Sequence, residues 1–303
     1  MSDFSTFSII IPTYQRPDEL MGCLEAVSKL DYPSNKFEVI VVDDGGELSD
    51  ELFSTFHKKI NLTILHQQNS GPAEARNLGA RTAKNDFLAF TDDDCEPDAD
   101  WLKSFSEQFN LTPGLLLGGR TVNALETNFF SAASQMLIDY LYEYASEANP
   151  NLTFFTSNNL ALSRADYFSF GGFDKTFPLA AAEDRDFCCR WQENKRDILF
   201  LHKAVVRHFH NLGLKSFWRQ HFNYGRGAHY FHLRRAERLE KTIKLEPLSF
   251  YFKMFIYPFY KTSLWCAKLI SFLFFIAQCA NVFGFLQARI SYFRSSLKQE
   301  KKI

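Results

Sequence analysis

The chain of 303 residues has room for one large domain or two modest ones, and its net charge of −1 excludes the broad basic footprint of a nucleic-acid-binding protein. Its 33 phenylalanines thicken towards the carboxyl end, where a membrane becomes a candidate partner. The cysteines (Cys23, Cys95, Cys188, Cys189, Cys266 and Cys279) show no CxxC spacing, which argues against a zinc site or a disulfide framework and predicts reduced thiols.

The opening residues, MSDFSTFSIIIPTYQRP, lack the basic start and long apolar run of a signal peptide, so the amino-terminal domain is expected in the cytoplasm. Phe7 to Ile11 (FSIII) and Phe37 to Val42 (FEVIVV) are continuous apolar, β-branched runs, the pattern of parallel strands buried on both faces. Between them, Pro17 to Leu30 sets Leu20, Cys23, Leu24 and Val27 at helical spacing, completing a βαβ unit. Leu62 to Leu65 predicts a third strand, Pro72 to Ala83 a helix, Phe87 to Phe90 a fourth strand and Trp101 to Phe109 a further helix. This alternation predicts an α/β fold, a sheet of parallel strands flanked by helices. From about Gly114 the alternation breaks down: LLLGGRTV is one possible strand, Phe129 to Tyr144 is an aromatic helical stretch, and a helix starts near Asp184 and runs to Trp191.

In such sheets the ligand sits where the loops gather, at the carboxyl ends of the strands. Those loops are polar here: PTYQR, DDGG, QQNSGPAEARN and DDDCEP. They predict one crevice lined by Tyr14, Asp43, Asp44, Arg76, Asn77, Asp92 and Asp94. The first half has neither GxGxxG nor GxxxxGK[ST], which argues against a dinucleotide-binding fold or a P-loop. The last loop follows FLAFT directly, so three like charges end a buried strand. Adjacent carboxylates repel and lose hydration, and a counter-charge is required. A Lys or Arg could supply it, as could a hard divalent cation such as Mg²⁺ or Mn²⁺. The plain alternative is a solvated Asp-rich turn that caps the next helix.

In order, IIIPTYQR, VVDDGG, SGPAEARNLGA, FTDDDCEP, NNLALSR with GGFD, and EDRDFCCRW resemble the family 2 glycosyltransferases of GT-A fold over roughly Phe7 to Ala228. The resemblance implies an α/β fold of GT-A type, a mixed and mostly parallel sheet flanked by helices, and an inverting enzyme that moves a sugar from a nucleotide-diphosphate donor. By that resemblance Asp92 and Asp94 match the DxD pair, Asp94 ligating the metal and Asp92 holding the ribose or assisting the metal, with Asp93 as the variable middle. Cys95 stands where many relatives place a further acid. Pro12, Thr13 and Tyr14 match the loop that packs on base and ribose, and Arg16 of the same loop joins the donor side. Asp44 matches the residue that reads the base edge, though Asp43 and Asp44 also suit a simple turn. Arg76 and Asn77 face the donor crevice, where Arg76 either neutralises phosphate or makes a structural pair with Glu74 or an Asp of the cluster.

Glu183 and Asp184 match the ED motif, in which the Asp is the general base that deprotonates the acceptor hydroxyl; helix capping is the alternative. Asn159 matches a position on the acceptor side. His208 sits where many such enzymes place a histidine near the metal, with His210 as a rival and a structural role as the alternative. Trp218 and Gln220 loosely resemble the QxxRW element of processive synthases on the acceptor side, but no Arg-Trp pair follows, which points to transfer of a single sugar.

The expected division is a GT-A domain over 1–230 (nucleotide-binding half 1–112, acceptor-binding and catalytic-base half 113–230) and a helical, hydrophobic, membrane-associating tail over 231–303. No charge appears from Leu269 to Ala288, a run of about 20 residues that is long enough to span a bilayer as a helix. Lys253, Lys261 and Lys268 precede it, and Arg289, Arg294, Lys298, Lys301 and Lys302 follow. Basic residues on both flanks favour a re-entrant hairpin or an interfacial helix on the cytoplasmic face over a single span, with an ordinary packed helix pair as the alternative. The expected partners are a UDP- or GDP-sugar, a glycan or lipid-linked acceptor, and membrane lipid. The competing readings are a sugar nucleotidyltransferase and a non-catalytic nucleotide-binding membrane adaptor.

Overall fold

The computed structural model describes residues 4–148, 154–177, 181–239 and 246–300. The two β-branched runs form β1 (Phe7–Thr13) and β2 (Phe37–Asp43), parallel strands in register from Phe7↔Phe37 to Thr13↔Asp43 and buried at every position. The connecting helix α1 (Pro17–Val27) begins at a proline, whose missing N–H needs no partner there, and buries Leu20, Cys23, Leu24 and Val27. Next come β3 (Leu62–His66), α2 (Pro72–Thr82), β4 (Phe87–Thr91), β5 (Cys95–Pro97), α3 (Trp101–Leu111), β6 (Leu116–Asn123) and α4 (Phe129–Ala148). The chain continues through β7 (Asn159–Ser163), α5 (Arg164–Ser169), α6 (Glu183–Glu193), β8 (Ile198–His208), α7 (Leu214–Leu239), α8 (Leu248–Ile256), α9 (Pro258–Lys261) and α10 (Leu264–Glu300).

The strands form one sheet in the order β3-β2-β1-β4-β7-β6-β8-β5. The β1, β2, β3 and β4 pairings are parallel, β7 runs antiparallel to both β4 and β6, and β8 is parallel to β6. Only Asp92, Asp93 and Asp94 separate β4 from β5, yet β5 lies at the sheet edge, antiparallel to β8, with Cys95 opposite His208. The three aspartates therefore carry the chain from the middle of the sheet to its rim.

Contacts divide the chain into two compact units: residues 1–124, 151–176 and 184–210, and residues 125–150, 177–183 and 211–303. The boundary expected at residue 230 falls inside α7, an unbroken helix, and α4 groups with the carboxyl-terminal helices. The first unit holds the sheet and a core that includes Phe7, Phe53, Trp101 and Phe105.

The second unit packs Tyr140, Phe217, Phe250, Met254 and Phe274 into its own core. Within it α7 crosses α10 at two glycines: a Cβ on Gly225 would lie 1.9 Å from the Asn281 carbonyl oxygen, and one on Gly284 would lie 1.9 Å from that of Phe222. The uncharged run Leu269–Ala288 lies within the single helix α10, so the run itself does not fold back as a hairpin. By length and composition Leu264–Arg294 could cross a membrane. Phe252, Tyr260, Trp265 and Phe293 expose most of their surface, and Lys301 and Lys302 lie outside the described residues.

Candidate active site

The three aspartates each have a cationic partner from the protein itself. Arg16 Nη1 donates to Asp93 Oδ1 at 3.1 Å and to Asp94 Oδ2 at 3.0 Å. His208 Nε2 lies 3.2 Å from Asp94 Oδ1, and Arg76 Nη2 pairs with Asp92 Oδ1 at 2.6 Å. Thr13 Oγ1 completes the Asp93 shell at 2.7 Å. The counter-charge required by the sequence thus comes from Arg16, Arg76 and His208, which converge on the β4–β5 connection, and the solvated-turn alternative does not describe it.

The two buried carboxyls respond in opposite directions. Burial pushes Asp93 up to about 7, against the pull of Arg16 and with the push of Asp94. Burial also opposes ionisation of Asp94, but the hydrogen bond and charge of His208 and the charge of Arg16 outweigh it and hold that carboxyl well below the usual range. His208 is raised in return, its burial outweighed by the bond to Asp94 and its charge.

Asp94, Cys95 and His208 bring potential ligand atoms within 4.8 Å of one another. Of these, the ionised carboxylate fits Mg²⁺ or Mn²⁺, whereas the imidazole ligates only when neutral and suits Mn²⁺ better than Mg²⁺. Cys95 does not fit, because burial raises its thiol far above the ordinary value and a soft, protonated sulfur suits neither ion. Asp92 stands outside this group and is engaged by Arg76.

Asp184, the second residue of α6, accepts the Ser157 N–H at 3.2 Å and the Arg185 N–H at 2.7 Å. Burial raises its pKa, and the bond from Arg185, the charge of Arg76 and the bond from Ser157 only moderate the rise, while Asp92 adds to it. Glu183, at the first position of α6, is buried. Tyr14, between Thr13 and Arg16 in the chain, is 45% exposed and presents an aromatic ring to solvent.

Several expected donor and acceptor residues do different work. Pro12 is buried within β1, and Thr13 is buried with its hydroxyl given to Asp93. Asp44 accepts the N–H groups of Ser70 (2.7 Å) and Gly71 (2.8 Å) and the amide of Gln67 (2.7 Å), so both carboxylate oxygens hold the loop that enters α2. Asp43 accepts the N–H groups of Gly46 and Leu48, the turn role the sequence allowed. Asn77 faces away from the crevice, its amide bonded to Phe173 and Tyr167.

Asn159 is 1% exposed and cannot line an acceptor site: it accepts the Trp101 indole N–H at 2.8 Å and donates to the carbonyls of Arg120 and Ala204. Asn159→Ala would leave that N–H and both carbonyls without this partner. It is expected to reduce stability by about 3 kcal/mol, read as a fall in the unfolding midpoint with nucleotide affinity of the folded protein unchanged. Trp218 and Gln220 lie on α7 in the second unit; Trp218 packs on Phe283, and Gln220 donates to Ser134 and Tyr224. Sequence reasoning missed Arg190, whose spacing from Asp186 (i, i+4) is the signal that marks it as a helix-borne ion pair.

The profile of glycosyl transferase family 2 matches residues 8–168, more than half of the chain. The sequence is 35% identical over 116 residues to the glycosyltransferase AglE of Haloferax volcanii, covering 37% of this chain and 38% of that protein. It is 30% identical over 219 residues to chondroitin synthase of Pasteurella multocida, covering 59% of this chain and 22% of the relative. These matches span less than half the length of either relative. Among solved structures, the mannosyltransferase PcManGT of Pyrobaculum calidifontis, in complex with GDP-Man and Mn²⁺, has a TM-score of 0.68 at 15% identity, covering 95% of this chain and 88% of that one. Staphylococcus aureus TarS 1–349 in complex with UDP gives 0.55 at 17% identity, covering 96% and 92%. At such identities the likeness carries the fold alone, and that fold is the GT-A fold expected from the motifs. With the family profile matched over more than half its length, the chain belongs to glycosyl transferase family 2.

Proposed function

We propose that the protein transfers a single sugar from a UDP- or GDP-sugar to a glycan or lipid-linked acceptor, with inversion and with Asp184 as general base. The observation that carries this reading is the placement of Asp184: half-buried, raised in basicity, and within the electrostatic reach of both Arg76 and Asp92. A base must stand close to the donor's reacting end while the diphosphate departs on the other side, and these residues supply both poles.

Asp94 and His208 would hold a divalent cation, Mn²⁺ or Mg²⁺, with Asp92 at hand for the ribose. When bound, such a cation neutralises charge on the diphosphate leaving group. Arg16, bound to Asp93 and Asp94, reaches the same place and adds a donor for phosphate oxygens. Tyr14 offers a face on which a base can stack. Asp44, by fixing the loop into α2, keeps Arg76 aimed at Asp92. The exposed aromatic side chains of α8, α9 and α10, with Lys253 and Lys268 among them, support attachment to the cytoplasmic face of a membrane.

Calorimetric titration with UDP and with GDP, each with and without Mn²⁺, tests the reading. One nucleotide is expected to bind in a metal-dependent manner, and Asp94→Asn to weaken it at least about tenfold, the loss of one charge-assisted ligand. No binding of either nucleotide by the wild-type protein would overturn the proposal.

A further inference from the structure

Between α5 and α6 the chain makes a tight turn, and two side chains from different helices grip it. Gly171 (φ 78°) and Gly172 (φ 67°) take left-handed conformations that a side chain resists. On one side, Arg190 of α6 donates Nη1 to the Phe170 carbonyl and Nη2 to the Gly172 carbonyl at 2.7 Å, while its Nε is held by the buried Asp186 at 2.8 Å. On the other, Asn77 of α2 binds the next residue twice: its amide donates to the Phe173 carbonyl at 2.8 Å, and its oxygen accepts the Phe173 N–H at 3.0 Å and the Tyr167 hydroxyl. A Cβ on Gly172 would lie 2.7 Å from that same oxygen, so the turn fits the asparagine closely.

The residue so gripped sits at the centre of the site's support. The Phe173 ring packs on Phe90 of β4 and on Phe187 of α6, both at 5.4 Å, and the Arg76 guanidinium lies over it at 5.8 Å. The strand that leads into the aspartates, the helix that carries Arg76 and the helix that carries Asp184 thus all meet one side chain. We propose that Arg190 and Asn77 are positioning residues for transfer: by clamping the Gly171–Phe173 turn from two helices they fix the separation of Asp184 from the Arg76–Asp92 pair. This rests on the transfer reading above. In-line displacement tolerates little misplacement between base and leaving group, and about 1 Å can reduce turnover 100-fold. Nucleotide affinity depends on neither side chain directly.

The test compares wild type, Arg190→Ala, Arg190→Lys and Asn77→Ala in the Mn²⁺-dependent release of UDP from UDP-GlcNAc and of GDP from GDP-mannose, with water as acceptor. Calorimetric nucleotide Kd and unfolding midpoints are measured alongside. For Arg190→Ala and Asn77→Ala, kcat is expected to fall by about 10- to 100-fold, with donor KM and nucleotide Kd within about threefold of wild type. Millimolar guanidinium is expected to restore part of the Arg190→Ala turnover. Arg190→Lys is expected to recover little, because one ammonium cannot reproduce a planar fork. If the wild type releases nucleotide and Arg190→Ala does so at the same kcat, the clamp is overturned and the transfer reading stands. The clamp is equally overturned if kcat falls only as far as the folded fraction does, if nucleotide Kd rises in proportion as kcat falls, or if guanidinium restores nothing. No metal-dependent nucleotide release by the wild type overturns the parent reading and the clamp with it.

Discussion

Asp184→Asn is expected to bind nucleotide as the wild type does and to lose transfer by roughly 10²- to 10⁴-fold, the ordinary share of a general base. The amide keeps the shape of the side chain, but Ser157 N–H bonds Oδ2 and Arg185 N–H bonds Oδ1, so its one oxygen retains only one of the two bonds, and the unfolding midpoint is measured alongside to separate that loss from the loss of the base. What the amide lacks is basicity. Only the ionised form can take a proton, and burial, only moderated by Arg185, Arg76 and Ser157, raises the Asp184 pKa. Transfer in the wild type should therefore rise with pH through that raised value and fall away below it, the acid limb lying above the ordinary aspartate value of about 4. Steady-state rates across pH, read with nucleotide affinity of the variant, check both statements. A variant with wild-type turnover, or an acid limb at or below about 4, would remove Asp184 from its role.

Gly225→Leu and Gly284→Leu are each expected to destabilise the helical unit by about 3 kcal/mol or more, at the upper end of overpacking effects. Intrinsic propensity points the other way, since glycine inside a helix is worse than alanine by about 0.5–1 kcal/mol. Packing decides the sign. A Cβ at either position would sit 1.9 Å from a backbone carbonyl oxygen of the opposing helix, and a backbone cannot swing aside as a side chain can. The helices would have to separate, taking buried neighbours such as Phe274 and Phe217 with them. Gly213→Ala, where a Cβ meets nothing within 4 Å, is the control and should change the unfolding midpoint little. Equal midpoints for Gly213→Ala and Gly284→Leu would show that the crossing is not close-packed.

The first four strands were legible because their apolar runs are continuous and β-branched, as strands buried on both faces must be. The polar loops between them marked the crevice, and the order of motifs named the family. Side-chain direction was not legible. Asn77 and Asn159 sit in motifs that read as ligand-facing, but each turns inward to satisfy buried backbone groups that come from distant parts of the chain, and no local pattern encodes such partners. For the same reason the counter-charges of the aspartates could be expected but not assigned. His208 meets Asp94 only through the β5–β8 pairing. The break between units escaped because α7 is continuous across residue 230, and composition does not record which neighbour a helix packs against.

That β5–β8 pairing has a consequence for biosynthesis. As the chain leaves the ribosome, Asp94 is made early and its partner His208 more than a hundred residues later, after β6, β7 and α6. Until β8 arrives, β5 has no strand beside it, and the crowded carboxylates lack one of their cations. Contacts of such long sequence separation form slowly, because the intervening chain must be ordered first. A nascent chain stalled before β8 would hold a nearly complete parallel half with an unfinished rim at the aspartates. The sheet of the first unit is complete only when its last strand, β8, takes its place between β6 and β5.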